Sequence, residues 1–190
     1  MKLGKLWRRE PDADAATLTT PGSTRLLFVC MGNICRSPTA EGVMRAKLRA
    51  AGLHRQVAVD SAGMSDHHRG EPPDPRTVRH AAQRGYDLAG LRARAVEPID
   101  FHRFHWMLAM DEDNLRWLRK QAPPEAPVRL QLLLEHGPPG AGLEVPDPYY
   151  GPPAGFEQVL DLIEGACDGL VALLAAQAGP WAERRGGPPA

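Results

Sequence analysis

Cys30, Arg36 and the residues between them are the part of this sequence best equipped for chemistry. Cys30 ends the apolar run Leu26-Leu27-Phe28-Val29, which reads as a buried strand, and Arg36 stands at the head of a helical pattern. The intervening residues, Met31, Gly32, Asn33, Ile34 and Cys35, suffice to curl into a loop whose N–H groups face one point. An oxyanion at that point would be held by backbone dipoles and the helix N-terminus. Cys30 would lie beneath it as a nucleophile, and Arg36 beside it as a clamp.

The residue types suit that use. A free thiol, with a pKa of about 8.5, is mostly protonated at neutral pH. The loop amides, the helix N-terminus and Arg36 would all favour the thiolate, and Ser37 can donate a hydrogen bond to it. Gly32 leaves room at the bend, Asn33 tolerates a left-handed backbone and Pro38 suits a first helical turn. The planar fork of Arg36 matches two oxygens of a phosphate-like ion. A second candidate is Asp147, in the Pro/Gly-rich stretch 137–155. A carboxylic acid there can protonate a leaving oxygen and then deprotonate water. Asp-Pro alone is an ordinary turn signal, so only its pairing with the Cys/Arg loop singles Asp147 out. Tyr149 and Tyr150 offer an aromatic wall for a planar substrate.

The elements that must position these groups alternate along the chain. Strands are expected at residues 25–30, 56–60, 105–110 and 128–133. Helices are expected over 37–51, from Asp74-Pro75 to Gly85, briefly after Glu97-Pro98, over 112–121 behind an Asp111 cap, and over 156–177. The fold class is therefore α/β, a three-layer sandwich with a four-stranded parallel sheet, helices on both faces and flavodoxin-like winding. Ligands bind such sheets beyond the carboxyl ends of the strands, where Cys30 falls. One domain is expected over residues 25–178. Residues 1–24 read as a disordered leader without a secretory h-region, and 179–190 as a loose tail.

Composition narrows the function. Lys and Arg total 23, as do Asp and Glu, so no net charge argues for nucleic acid. No apolar run approaches the roughly 20 residues of a membrane span. Three cysteines without a signal peptide suit a reducing, cytoplasmic setting. No metal is expected, since Cys30 and Cys35 have only the remote Cys167 to join them, and Cys167 reads as core. The histidines at 54, 80, 102, 105 and 136 show no ligand spacing. Arg76, Arg79 and Arg84 read as a solvated helix face, and Trp106 and Trp117 as at least partly buried.

With both loops in view, the chain resembles the low-molecular-weight protein tyrosine phosphatases over about residues 25–177. The resemblance rests on Val29 to Pro38, on Asp147-Pro148-Tyr149-Tyr150, on Asp60-Ser61-Ala62-Gly63 and on Met110 to Leu115. It implies hydrolysis of phosphotyrosine in proteins through a phosphocysteine on Cys30, without a cofactor. Arg36 is then the phosphate clamp and Asp147 the general acid, while Asn33 and Ser37 order the loop. Cys35 becomes a redox partner that forms a reversible disulfide with Cys30. The implied partners are tyrosine-phosphorylated proteins, with a tyrosine kinase as a candidate, and the implied state is a monomer or weak dimer. His67 falls where many members carry a bulky apolar residue, and it reads as part of a solvated polar loop or as a group that stacks on a phenyl ring or attracts acidic flanks, which leaves substrate preference open. Three rivals remain. A phosphoarginine phosphatase typically carries threonine in place of Ile34. A thiol-linked arsenate reductase needs two further cysteines close together. The third is a non-catalytic oxyanion or redox-sensing module.

Overall fold

Alternation along the first strand builds both layers of the core. In a computed structural model, which describes residues 23–181, β1 spans Thr24–Cys30. Leu26, Phe28 and Cys30 enter one apolar cluster, and Leu27 and Val29 enter another, as the two-residue period of a strand requires. The first cluster is closed by Val43, Met44 and Leu48 of α1 (Arg36–Ala50) and by Val159, Ile163 and Leu170 of α5 (Ala154–Trp181). The second is closed by Phe101 of α3 (Asp100–Arg103) and by Leu115 and Leu118 of α4 (Glu112–Gln121). The remaining helix, α2 (Pro75–Gln83), packs against α5.

The sheet is parallel throughout, with β2 (Val57–Gly63), β3 (Trp106–Ala109) and β4 (Arg129–Leu132) in the order β2-β1-β3-β4. This is the expected three-layer winding. β1 lies at its centre, where the chain switches from one side of the sheet to the other, so Cys30 ends at the switch point. Asp74 caps α2 by accepting from Arg76 N at 2.8 Å, and Asp111 caps α4 by accepting from Asn114 N at 2.7 Å. Trp106 is buried and Trp117 is partly buried, as expected.

Boundaries differ in instructive places. β2 runs on to Gly63, beyond the expected end at 60, because Ser61-Ala62-Gly63 pairs with Phe28-Val29-Cys30 despite its turn-like composition. A Cβ at Gly63 would stand 2.9 Å from Met31 O, so glycine is what lets the following loop pass. The ladder then continues past both strands, with Met64 N donating to Cys30 O at 2.9 Å and Ser65 N to Met31 O at 3.0 Å. The helix near Glu97-Pro98 begins only at Asp100. β1 takes in Thr24 from the expected leader, and α5 reaches Trp181, into the stretch expected to be a tail. The remaining leader and tail expectations concern residues 1–22 and 182–190, which lie outside the described residues. Among the described residues, no helix is long and apolar enough to cross a membrane.

Candidate active site

The loop from Met31 to Cys35 joins the end of β1 to the start of α1. Asn33 takes φ 56°, the left-handed value its side chain tolerates, and this turns the loop back over Cys30. The N-terminus of α1 has no side-chain cap and no acidic residue in its first turn. Its unpaired N–H groups thus remain available to an anion at the loop.

A pocket of about 220 Å³ opens there. It is lined by Cys30, Met31, Gly32, Ile34, Cys35 and Arg36 from the first loop and helix, and by Asp147, Tyr149 and Tyr150 from the second loop. Asn33 and Ser37 lie outside that lining, both buried. Of the site residues expected from sequence, only His67 stands apart: it is exposed, and its neighbour His68 lines the pocket instead. The His68 ring lies against Gly32, and its Nδ1 pairs with Glu71 Oε2 at 2.7 Å. The segment lacks the periodicity that would have separated two adjacent histidines.

Hydrogen bonds converge on the Cys30 sulfur. Ser37 Oγ lies 3.1 Å from Sγ, and Asn33 N donates to Sγ at 3.3 Å. Asn33 Nδ2 donates to both Ser37 Oγ and Ser61 Oγ at 2.9 Å, leaving the Ser37 proton free to face the sulfur or Ala62 O. Ser61 Oγ in turn donates to Glu41 Oε2 at 2.5 Å, and Asn33 Oδ1 accepts from Arg94 N at 2.9 Å. The loop is therefore fixed from behind by a side-chain chain running Glu41–Ser61–Asn33–Ser37. The sequence reading missed Glu41 and Arg94, and it left Ser61 without a role within a segment it had noticed.

Arg36 is almost fully buried and held by two carboxylates. Nη1 meets Asp111 Oδ2 at 2.5 Å and Val145 O at 3.1 Å, and Nη2 meets Asp147 Oδ2 at 3.0 Å. Burial works against its charge, but Cys30, Asp147 and Asp111 outweigh burial and hold the guanidinium above its ordinary pKa. Asp111 was expected only as a helix cap. One of its oxygens caps α4 while the other orients Arg36. Asp147 is half exposed, with Tyr149 N donating to its Oδ1 at 3.1 Å. Its loop is pinned by Arg76, whose Nη1 donates to Tyr149 O at 3.0 Å and whose guanidinium lies over the Tyr149 and Phe156 rings.

Cys35 shares the loop but not the environment. Burial pushes its thiol up to about 12, with Thr77 pulling the other way and Asp74 adding to the rise. Cys167 lies wholly in the core, where burial also raises its thiol.

Known proteins resemble the chain in sequence and in fold. A sequence profile described as low molecular weight phosphotyrosine protein phosphatase covers residues 25–179. A low molecular weight protein-tyrosine-phosphatase of Streptomyces coelicolor is 46% identical over 156 residues, 80% of this chain and 94% of that protein. A protein tyrosine phosphatase structure from Entamoeba histolytica, with Hepes in its active site, superposes with a TM-score of 0.78 at 37% identity. That match covers 82% of this chain and 99% of the other. A Drosophila arginine phosphatase superposes at 0.73 with 29% identity, over 78% and 96% of the two chains.

Proposed function

The chain belongs to the low molecular weight phosphotyrosine protein phosphatase family, and from that premise we propose that Cys30, Arg36 and Asp147 carry out its phosphoryl transfer. One observation carries the assignment: the thiol, the guanidinium and the carboxyl line a single pocket, with Asp147 Oδ2 on Arg36 Nη2 at 3.0 Å.

A phosphate dianion entering the pocket takes over the inward face of Arg36 and the loop N–H groups. Asp147 is the freer of the two carboxylates on Arg36, so it swings to the leaving oxygen, while the more buried Asp111 keeps the guanidinium aimed. Cys30 attacks phosphorus in line, and the equatorial oxygens, where charge gathers, are met by donors already in position. Asp147 gives its proton to the departing phenol. Water activated by the same carboxylate then releases phosphate from the phosphocysteine.

The substrates are proteins carrying phosphotyrosine. We further assign a tyrosine kinase as a candidate partner, a cytoplasmic setting and a monomeric or weakly dimeric state. Cys35 serves as the thiol that closes a disulfide on oxidised Cys30. Ile34 favours an aryl ester over phosphoarginine, since it offers the pocket an apolar side chain and no hydroxyl. An arsenate-reductase relay has no support, because Cys167, the third cysteine, is sealed among Val159, Ile163 and Leu170. The test is turnover of paired phosphotyrosine and phosphoarginine peptides by the native chain and by Cys30→Ser. The reading expects tyrosine-selective release that the substitution abolishes. Faster release from phosphoarginine, or turnover that survives the substitution, would overturn it.

A further inference from the structure

Behind the phosphate-binding loop lies a second, smaller space. A cavity of about 10 Å³ is lined by Cys35, Thr39, Thr77, His80, Pro148 and Phe156, among others. That is room for one water molecule. Cys35 also lines the main pocket, so it borders both spaces, with its thiol beside Thr77 of the smaller one. Two polar atoms of the cavity's lining residues, Thr77 Oγ1 and His80 Nε2, are buried with no protein partner at ordinary hydrogen-bond geometry among the described residues, although Thr77 stands near enough to Cys35 to pull its thiol down. Thr77 is 3% exposed and His80 9%. Buried polar atoms seldom go unpaired, and two beside a water-sized space point to a shared water.

The other side of His80 is fully committed. Nδ1 pairs with Glu157 Oε1 at 2.5 Å, and the ring stacks on Phe156 with centroids 5.4 Å apart. A carboxylate can only accept, so Nδ1 carries a proton, and in the neutral imidazole Nε2 is then the acceptor. Arg84 holds Glu157 through Nε at 3.0 Å and Nη2 at 2.5 Å. The order carboxylate, imidazole, thiol is that of a base-activated nucleophile, with a water in place of direct contact.

We propose that His80, acting through one water in this cavity and oriented by Glu157, is the base that deprotonates Cys35 when it closes a disulfide onto oxidised Cys30. The proposal rests on the reading of Cys35 as the redox partner and adds the proton path that reading lacks. A peroxide first oxidises the Cys30 thiolate by two electrons to the sulfenic acid, and is itself reduced to water or alcohol. The cavity water takes the Cys35 proton as it gives one of its own to His80 Nε2. The Cys35 thiolate attacks the Cys30 sulfur, the S–S bond forms and the S–O bond breaks. The departing hydroxide takes a proton from solvent to become water, and His80 returns its extra proton to solvent. A thiol held up near 12 needs such help at neutral pH. The charged and titratable groups around the relay are Glu157 and Arg84 on the far side of His80, Asp74 and the Arg76 guanidinium beside Cys35, and Cys30 and Asp147 across the loop.

The test follows a peroxide pulse by mass spectrometry in the native chain, His80→Phe, Glu157→Gln and Cys35→Ser. All but the last should first be checked for unchanged turnover of an aryl phosphate. His80→Phe should close the disulfide roughly tenfold or more slowly at pH 7 and accumulate Cys30 sulfinate, a deficit that shrinks as rising pH lets hydroxide replace the base. Glu157→Gln, which leaves the imidazole in place, should fall between. Disulfide closure at the native rate across pH in both variants would overturn the relay. Should His80→Phe fold poorly, Glu157→Gln decides alone, a native pH profile then counting against the proposal. Cys35→Ser separates the layers: if it regains activity with thiol as the native chain does, the disulfide reading itself fails, whatever His80 does.

Discussion

Cys30 and Cys35 lie on one short loop and are both buried, yet their surroundings equip them for opposite tasks. Cys30 ends a strand, with Asn33 N and Ser37 Oγ directed at its sulfur and a buried guanidinium lining the same pocket. Cys35 is the cap residue of α1, and it sits beside Asp74, whose charge disfavours a thiolate. Reactivity in this molecule thus follows the donors and charges around a sulfur, since burial alone does not distinguish the two. On the proposed reading, the same contrast divides the loop into a front for an anion and a back that keeps a thiol protonated until it is needed.

The largest blow to that contrast is to exchange the cysteines' fates. Cys30→Ser should lower turnover of an aryl phosphate by roughly 10⁴-fold or more, whereas Cys35→Ser should retain it within a few-fold. Equal losses in steady-state assays would erase the distinction. Next in size, Asp147→Asn should slow turnover by about 10² to 10⁴-fold, most for substrates with poor leaving groups, as a leaving-group series would reveal. Asp111→Asn probes the rear support of Arg36. It should weaken inhibition by inorganic phosphate and cut kcat/KM by roughly tenfold to a hundredfold, without the leaving-group dependence of Asp147. The smallest effect concerns the back of the loop and pH. A thiol raised in the folded state contributes stability that is complete below its unfolded pKa and lost as pH rises through the folded one. For Cys35 that window runs from 9.0 to about 12. Cys35→Ala should therefore make the alkaline fall in denaturant midpoint shallower. Cys167, raised by deeper burial, and Tyr86, raised to about 12 by burial and Glu164, should keep the rest of the fall in place.

How much of this was readable in advance depended on how local the signal was. The loop from Cys30 to Ser37 was legible because each residue meets a requirement set by its immediate neighbours: a bend, a left-handed turn, a helix start, an anion clamp. The parallel sheet was legible from the alternation of apolar runs with capped helices. The roles of Asp111 and Arg94 were not, because their contacts with the loop cross 75 and 61 positions of sequence. Asp111 also had a complete explanation as a cap, which hid the work of its second oxygen. Ser61 and Gly63 lie past the strand end expected at 60, and only the register against Phe28 and Cys30 makes them strand. The relay behind Cys35 was invisible for a further reason. Thr77 carried no sequence signal and His80 only a lack of ligand spacing, and only the packing of α5 and Pro148 encloses them.

The central claim is that one sulfur of the pair, that of Cys30, carries the phosphoryl group. Rapid acid quench of the Asp147→Asn variant turning over a phosphotyrosine peptide, followed by proteolysis and mass spectrometry, reads the label directly. The account predicts phosphate on Cys30 and none on Cys35. Label on Cys35, or continued turnover with no phosphocysteine at any time point, would contradict it.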